Sequence, residues 1–279
     1  MKLLSFRHGE RESYGIVTGD GVIDAGRRLG PGRPTLRAAL AEPEALQALA
    51  GEVADFGLGE IEYRQPIPDP GRITCVGLNY RRHIEEVGAT PPAQPSLFAR
   101  HPHCQVAHLE PMVRPRASAM YDFEGELAVV IGRRGRHIAE AEALSHVAGY
   151  ACFNDGSLRD FQRQGSLLAG KNFWHSGAFG PWLVTADALP DPGALTLITR
   201  LNGAVMQHAS TGDLLFTVPA LIAYLSHIFP LEVGDVIATG TPSGVGLGRD
   251  PQVWMRPGDT VEVEISGIGT LQNPVVAEE

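Results

Sequence analysis

Glycine and proline recur along the whole chain, at 33 and 21 of 279 residues, with no tract in which either is gathered. Each proline removes a backbone donor and fixes φ, and each glycine eases a tight turn. A chain punctuated this often cannot sustain a long-helix bundle, a coiled coil or a collagen repeat, and it carries too much apolar residue for disorder. The pattern reads instead as many turns between short strands, over a length that suits one or two domains.

Residues 1–65 form a first unit. KLLSFR and SYGIVTG read as strands, Gly19-Asp20-Gly21 as a hairpin turn into GVIDAG, and Thr35 to Ala50 as helix interrupted at Pro43. No cluster of chemically useful groups occurs there. Prolines 66, 68 and 70 deny both helix and central strand, so 66–71 is a linker. From residue 72 to 279 the chain is β-rich with a few helices. Strands are expected at ITCVG, Asp122 to Ile131, GYACF and DTVEVEI, and a hairpin at Asn202-Gly203. Helices are expected up to Val87 before Gly88, over Ala139 to His146 and over Val218 to Phe229.

Charge and hydropathy exclude several functions. Acidic residues outnumber basic ones by 32 to 23 and are dispersed, so no basic stripe offers itself to a nucleic-acid backbone. The best apolar run, Leu127 to Ile131, is far too short to span a membrane. The N-terminal patch in MKLLSFRHGE is too short for a signal-peptide core. Cys75, Cys104 and Cys152 lack a C-x-x-C spacing and read as reduced thiols, which predicts a cytoplasmic protein.

The segment YDFEGELAVVIG carries the most chemistry. On a continuous strand Asp122, Glu124 and Glu126 project to one side, just before the interior-type run Ala128 to Ile131. Neighbouring carboxylates at the mouth of a buried strand need a proton or a cation, and a hard divalent ion suits oxygen ligands. A solvated acidic edge satisfies the same spacing. Asp155 closes the next strand. Ser157 is placed to cap a helix carrying Arg159 and Gln162 on one face, where they can hold a carboxylate or keto oxygen or simply form a surface pair. His83 and Glu86 are spaced to form a helical dyad, and Lys171 lies between Gly170 and Asn172. The loop Ala238 to Gly248 fits neither a dinucleotide fingerprint nor a P-loop, though its amides and Thr241 can cradle a carboxylate. His101, His103, Cys104 and His108 offer a weaker zinc alternative, with irregular spacing and no second pair.

Taken in order, these segments resemble the fumarylacetoacetate hydrolase superfamily, in its bacterial type with a small N-terminal domain. The likeness rests on Gly77-Leu78-Asn79-Tyr80 with His83 and Glu86, Asp122-x-Glu124-x-Glu126-Leu127, Asn154-Asp155, Arg159-Asp160 with Gln162, Lys171, Gly180 to Thr185, Asn202-Gly203 and Thr239 to Gly246. It implies an α+β, β-rich fold, a mixed β-sandwich roll beside a small N-terminal α/β domain, usually assembled as a homodimer. It implies Mg²⁺ or Mn²⁺ on Glu124, Glu126 and Asp155, and a lid dyad of His83 and Glu86. Lys171 falls on the family lysine, and Arg159, Gln162 and Thr241 on positions contacting substrate or the metal surroundings.

The expected substrate is a small anionic 2-oxo or 2,4-dioxo acid. The expected reaction is hydrolysis of a C–C bond in an acylpyruvate, with His83 activating water and Lys171 stabilising an oxyanion. Decarboxylation of an oxaloacetate-like acid and keto–enol isomerisation suit the same site, and a non-catalytic binding protein is the reading from another class. Two departures stand out: Phe98-Ala99-Arg100-His101-Pro102 replaces the family's F-x-K-P, and Asp155-Gly156-Ser157-Leu158-Arg159-Asp160 replaces D-V-S-A-R-D. The first predicts an altered acid-recognition end and an untouched metal site.

Overall fold

The structure, a computed structural model, describes residues 1–279. As the turn-rich sequence requires, short strands dominate. β1 (Lys2–His8), β2 (Arg11–Thr18) and β3 (Gly21–Asp24) form a meander, followed by α1 (Ala25–Leu29). The helical stretch divides at the proline into α2 (Leu36–Leu40), capped by the Thr35 side chain, and α3 (Pro43–Gln47), with Pro43 in its first turn. Then come β4 (Phe56–Gly57), β5 (Glu62–Tyr63), β6 (Ile73–Gly77), α4 (Arg81–Glu86), β7 (Ser96–Arg100), β8 (Gln105–Val106) and β9 (Met112–Arg114).

Here two expectations fail. The strand from Asp122 to Ile131 is not continuous: β10 (Tyr121–Asp122) and β11 (Gly125–Ile131) are separate, with Phe123 and Glu124 between them. β12 (Val147–Asn154) is followed by β13 (Ser157–Leu158), α5 (Arg159–Gln164) and α6 (Leu167–Lys171). Ser157 is therefore not a helix cap; its hydroxyl donates to the Asp155 carbonyl at 2.7 Å, and Leu158 precedes the helix. Residues Glu140–His146 form the expected short helix, wound as 3₁₀. β14 (Gly177–Thr185) leads to the hairpin of β15 (Thr196–Leu201) and β16 (Ala204–Ser210), whose turn residues Asn202 and Gly203 both have positive φ. α7 (Val218–Ile228), β17 (Val236–Ala238), β18 (Thr260–Ile265) and β19 (Gly269–Ala277) complete the chain.

A 12-stranded sheet runs β4-β3-β2-β1-β14-β12-β11-β17-β6-β7, with β5 added on β1 and β8 on β14. The first strands are thus continuous with the rest through Lys2↔Val184 and Leu3↔Leu183. A second sheet, β16-β15-β18-β19-β9, packs across it, and β10 pairs with β13 alone. β11 lies in the middle of the large sheet and is buried on both faces. Leu127, Val129 and Ile131 meet the second sheet and α7, whereas Ala128 and Val130 meet residues of β1 to α3. This two-sided burial explains why the run Ala128–Ile131 shows no polar alternation.

Sheet register also gathers the loops that matter. β11 is antiparallel to β12 and β17, and β17 is parallel to β6. The start of β11 therefore lies beside the ends of β12, β17 and β6, so the segments before Gly125 and after Asn154, Ala238 and Gly77 all converge at one edge.

Candidate active site

At that edge Gly125 pairs with Asn154, and the Asp155 amide donates to the Glu124 carbonyl at 2.9 Å. Strand pairing thus carries Glu124, Glu126 and Asp155 to one point, where carboxylate oxygens of all three lie within 4.8 Å of one another. All three are buried. It is the one place where three His, Cys, Asp or Glu side chains converge; His101, His103, Cys104 and His108 do not, so the zinc alternative is not built. Asp122 has also left the cluster. The break at Phe123–Glu124 turns it away, to accept from the amides of Gly246 and Leu247 at 2.7 and 2.9 Å and from Arg159 Nε at 2.9 Å.

Cations line the trio. Lys171 Nζ donates to Glu124 Oε2 and, at 2.6 Å, to Asp155 Oδ2. Arg159 Nη2 is 2.6 Å from Glu124 Oε1, and its Nη1 donates to Gln162 Oε1 at 2.9 Å. Arg100, at the departure from F-x-K-P, binds Asp155 Oδ1 through Nη1, the Gly156 carbonyl at 2.9 Å and Ser176 Oγ at 3.1 Å. That corrects the expectation drawn from this position. Arg100 is not at an acid-recognition end of the site; it lies behind a member of the carboxylate trio.

These contacts set the protonation pattern. Burial alone would raise the Glu124 carboxyl, but Arg159, Lys171 and His83 outweigh it and hold Glu124 well below the usual range. Glu126 lacks such a partner. Burial, with Asp155 and Glu124 beside it, pushes it well above, and the Gly240 amide at 2.9 Å is its hydrogen-bond donor. Lys171 is drawn upward against its burial by Asp155 and Glu124. A buried acidic centre whose least compensated member strains toward neutrality is a donor set suited to a divalent cation.

The opposite wall is built by α4. α4 places His83 against the site, its Nδ1 3.0 Å from Glu86 Oε2, while Glu86 Oε1 accepts from the Gly244 amide at 2.8 Å. The loop after β17 does cradle carboxylates with its amides, and they are the protein's own: Gly240, Gly244, Gly246 and Leu247 bind Glu126, Glu86 and Asp122. Gly240 needs both its φ of 103° and its missing side chain, because a Cβ there would lie 2.7 Å from Asn79 Cβ. Thr241 Oγ1 donates to the Gly125 carbonyl at 3.0 Å and accepts from Gln207 Nε2 at 2.8 Å. Gln207, on β16, was not singled out in the sequence; a lone glutamine on an alternating strand carries no motif. Leu78, with φ of 55°, is strained backbone on the cavity wall. Glu124, Glu126, Asp155, His83, Lys171, Arg159, Gln162 and Thr241 all line one cavity of about 380 Å³. Glu86 braces it from behind His83.

With this geometry in hand, comparison with known proteins defines the class. The profile described as fumarylacetoacetate (FAA) hydrolase C-terminal matches residues 72–276, and the chain belongs to that family. The human mitochondrial oxaloacetate tautomerase FAHD2A is 37% identical, the match covering 99% of this chain and 92% of that protein. The oxaloacetate tautomerase YisK of Bacillus subtilis is 40% identical, over 79% of this chain and 75% of its own length. Among solved structures, maleylpyruvate hydrolase of Sphingobium sp. SYK-6, in complex with manganese(II) and pyruvate, superposes with a TM-score of 0.84 at 28% identity and complete coverage of both chains.

Proposed function

We propose that the protein is a divalent-metal-dependent enzyme that interconverts the keto and enol forms of a small 2-oxo diacid of the oxaloacetate type. The observation that carries this reading is the meeting of the Glu124, Glu126 and Asp155 trio with the His83–Glu86 pair across one cavity. A divalent cation held by those three carboxylates would act as a Lewis acid on the 2-oxo group.

The chain's own groups supply the rest. Glu86 fixes the imidazole so that Nδ1 carries the proton and Nε2 is the free base. His83 then moves a proton to or from the carbon next to the ketone. Glu86, tied to Gly244, holds the ring in place. Lys171 and Arg159 keep Glu124 ionised and set positive charge on the wall where oxyanion character develops. Half-enclosure by Phe98, Leu167 and Leu247 limits water around the exchanging proton.

The likeness to human and bacterial oxaloacetate tautomerases supports this choice over the others. A second reading, hydrolysis of an acylpyruvate, is favoured by the likeness to a hydrolase holding manganese(II) and pyruvate; there His83 would take its proton from water. The test follows the enol absorbance of oxaloacetate with Mg²⁺ or Mn²⁺, and in parallel the acids released from acetylpyruvate and fumarylpyruvate. Faster ketonisation without release of a second acid is expected. Cleavage of acylpyruvates outrunning ketonisation transfers the assignment to the hydrolase, and no rate gain on any substrate with saturating metal removes the enzyme reading.

A further inference from the structure

We infer that Arg100 is a positioning residue that selects the metal, by restricting Asp155 to one ligand oxygen. The inference rests on the reading of Glu124, Glu126 and Asp155 as metal ligands. The side chain of Arg100 is fully buried. Its fork spans three partners: Nη1 takes Asp155 Oδ1 and the Gly156 carbonyl, and Nη2 takes Ser176 Oγ. The socket is built to fit. Ser176 Oγ itself donates to the Phe173 carbonyl at 2.7 Å, and Tyr121 donates to the Ser176 carbonyl at 2.8 Å. A Cβ on Gly177 would come within 2.6 Å of Arg100 Nη2, so only glycine leaves room for the guanidinium.

The consequence lies in which Asp155 oxygen is committed. Oδ1 is engaged by Arg100, and Oδ2 is on the side of Lys171 Nζ, which also donates to Glu124 Oε2. Asp155 can therefore give the centre one oxygen, not two. Mg²⁺ and Mn²⁺ accept a six-ligand octahedron of single oxygens, whereas Ca²⁺ gains from bidentate carboxylates and higher coordination. A socketed Arg100 thus disfavours Ca²⁺. A lysine has no planar fork and cannot hold Asp155, Gly156 and Ser176 together, so it would leave Asp155 free to turn.

The experiment titrates Mn²⁺ into the full-length chain, following loss of the free-ion electron paramagnetic resonance signal, then displaces it with Ca²⁺. Wild type is compared with Arg100→Lys, Arg100→Met and Ser176→Ala, each checked for folding by circular dichroism. The ratio of Ca²⁺ to Mn²⁺ dissociation constants should fall about tenfold or more in both Arg100 variants, and by less in Ser176→Ala. Arg100→Lys keeps the charge, so a fall there separates positioning from electrostatics; if Arg100→Met does not fold, the other two variants decide. Affinities that shift together and leave the ratio within about twofold in folded Arg100→Lys overturn the inference, since a merely structural role acts on both ions alike. Failure of the wild type to bind Mn²⁺ at all is a different result, which removes the metal reading and this inference with it.

Discussion

The outer strands and the centre of the large sheet use charge in opposite ways. Around β1 to β5, Arg7 faces Glu62, Arg64 faces Glu12 and Arg33 faces Glu42, each pair open to solvent, with glutamate side chains 57 to 61% exposed. At the mouth of β11 and β12, Arg100, Arg159 and Lys171 face Asp122, Glu124 and Asp155, with no side chain more than 5% exposed. Surface pairs of the first kind contribute roughly 0–1 kcal/mol each. Buried charges of the second kind cost several kcal/mol apiece to desolvate and are held only by near-complete mutual compensation. The centre is thus kept at the expense of stability, which is how a functional site differs from a scaffold.

The largest effect expected is on turnover at the least compensated group. Glu126→Gln should lower metal-dependent kcat by about 10³-fold or more while the melting temperature holds or rises, because a repelling carboxylate is removed and a ligand lost. A rise in activity, or a steep fall in melting temperature, breaks the contrast drawn above. Next, His83→Gln should cost about 10²–10⁴-fold in kcat as a lost acid–base group, with Mn²⁺ affinity by calorimetry unchanged. Arg159→Met should destabilise by about 3–5 kcal/mol in urea unfolding, since Asp122 and Glu124 are left buried and unpaired. Arg64→Ala, at the exposed rim, should cost less than ~1 kcal/mol in the same assay. If the last two variants gave equal losses, burial would not be what separates the two regions.

Much of this was legible beforehand, and the reasons are local. Turn chemistry at Asn202-Gly203, the break at Pro43 and the two-sided apolar run after Leu127 each express a short-range preference. The carboxylates Glu124, Glu126 and Asp155 were identifiable because strand ends and motif order survive in one dimension. Arg100 was read at the acid-recognition end rather than behind Asp155, and Gln207 was not read as part of the site at all. Their partners lie 55 and 34 residues away at Asp155 and Thr241, and nothing adjacent to either marks the contact. Nor was the use of the glycine-loop amides, which are spent on Glu86, Glu126 and Asp122 rather than left for a ligand.

By itself the sequence determined a strand-rich chain, a family, and an acidic trio with a histidine–glutamate pair in reserve, since propensity and residue order are properties of the chain as written. Only the tertiary structure decided that Asp122 turns away from Glu124 and Glu126, that Arg100 stands behind Asp155, and that Lys171 bridges two carboxylates. Those outcomes depend on a kink at Phe123–Glu124 and on the register of β11 against β12 and β17. Register is a balance of packing summed over distant segments, and a shift of one residue would have turned every side chain of β11 to the other face.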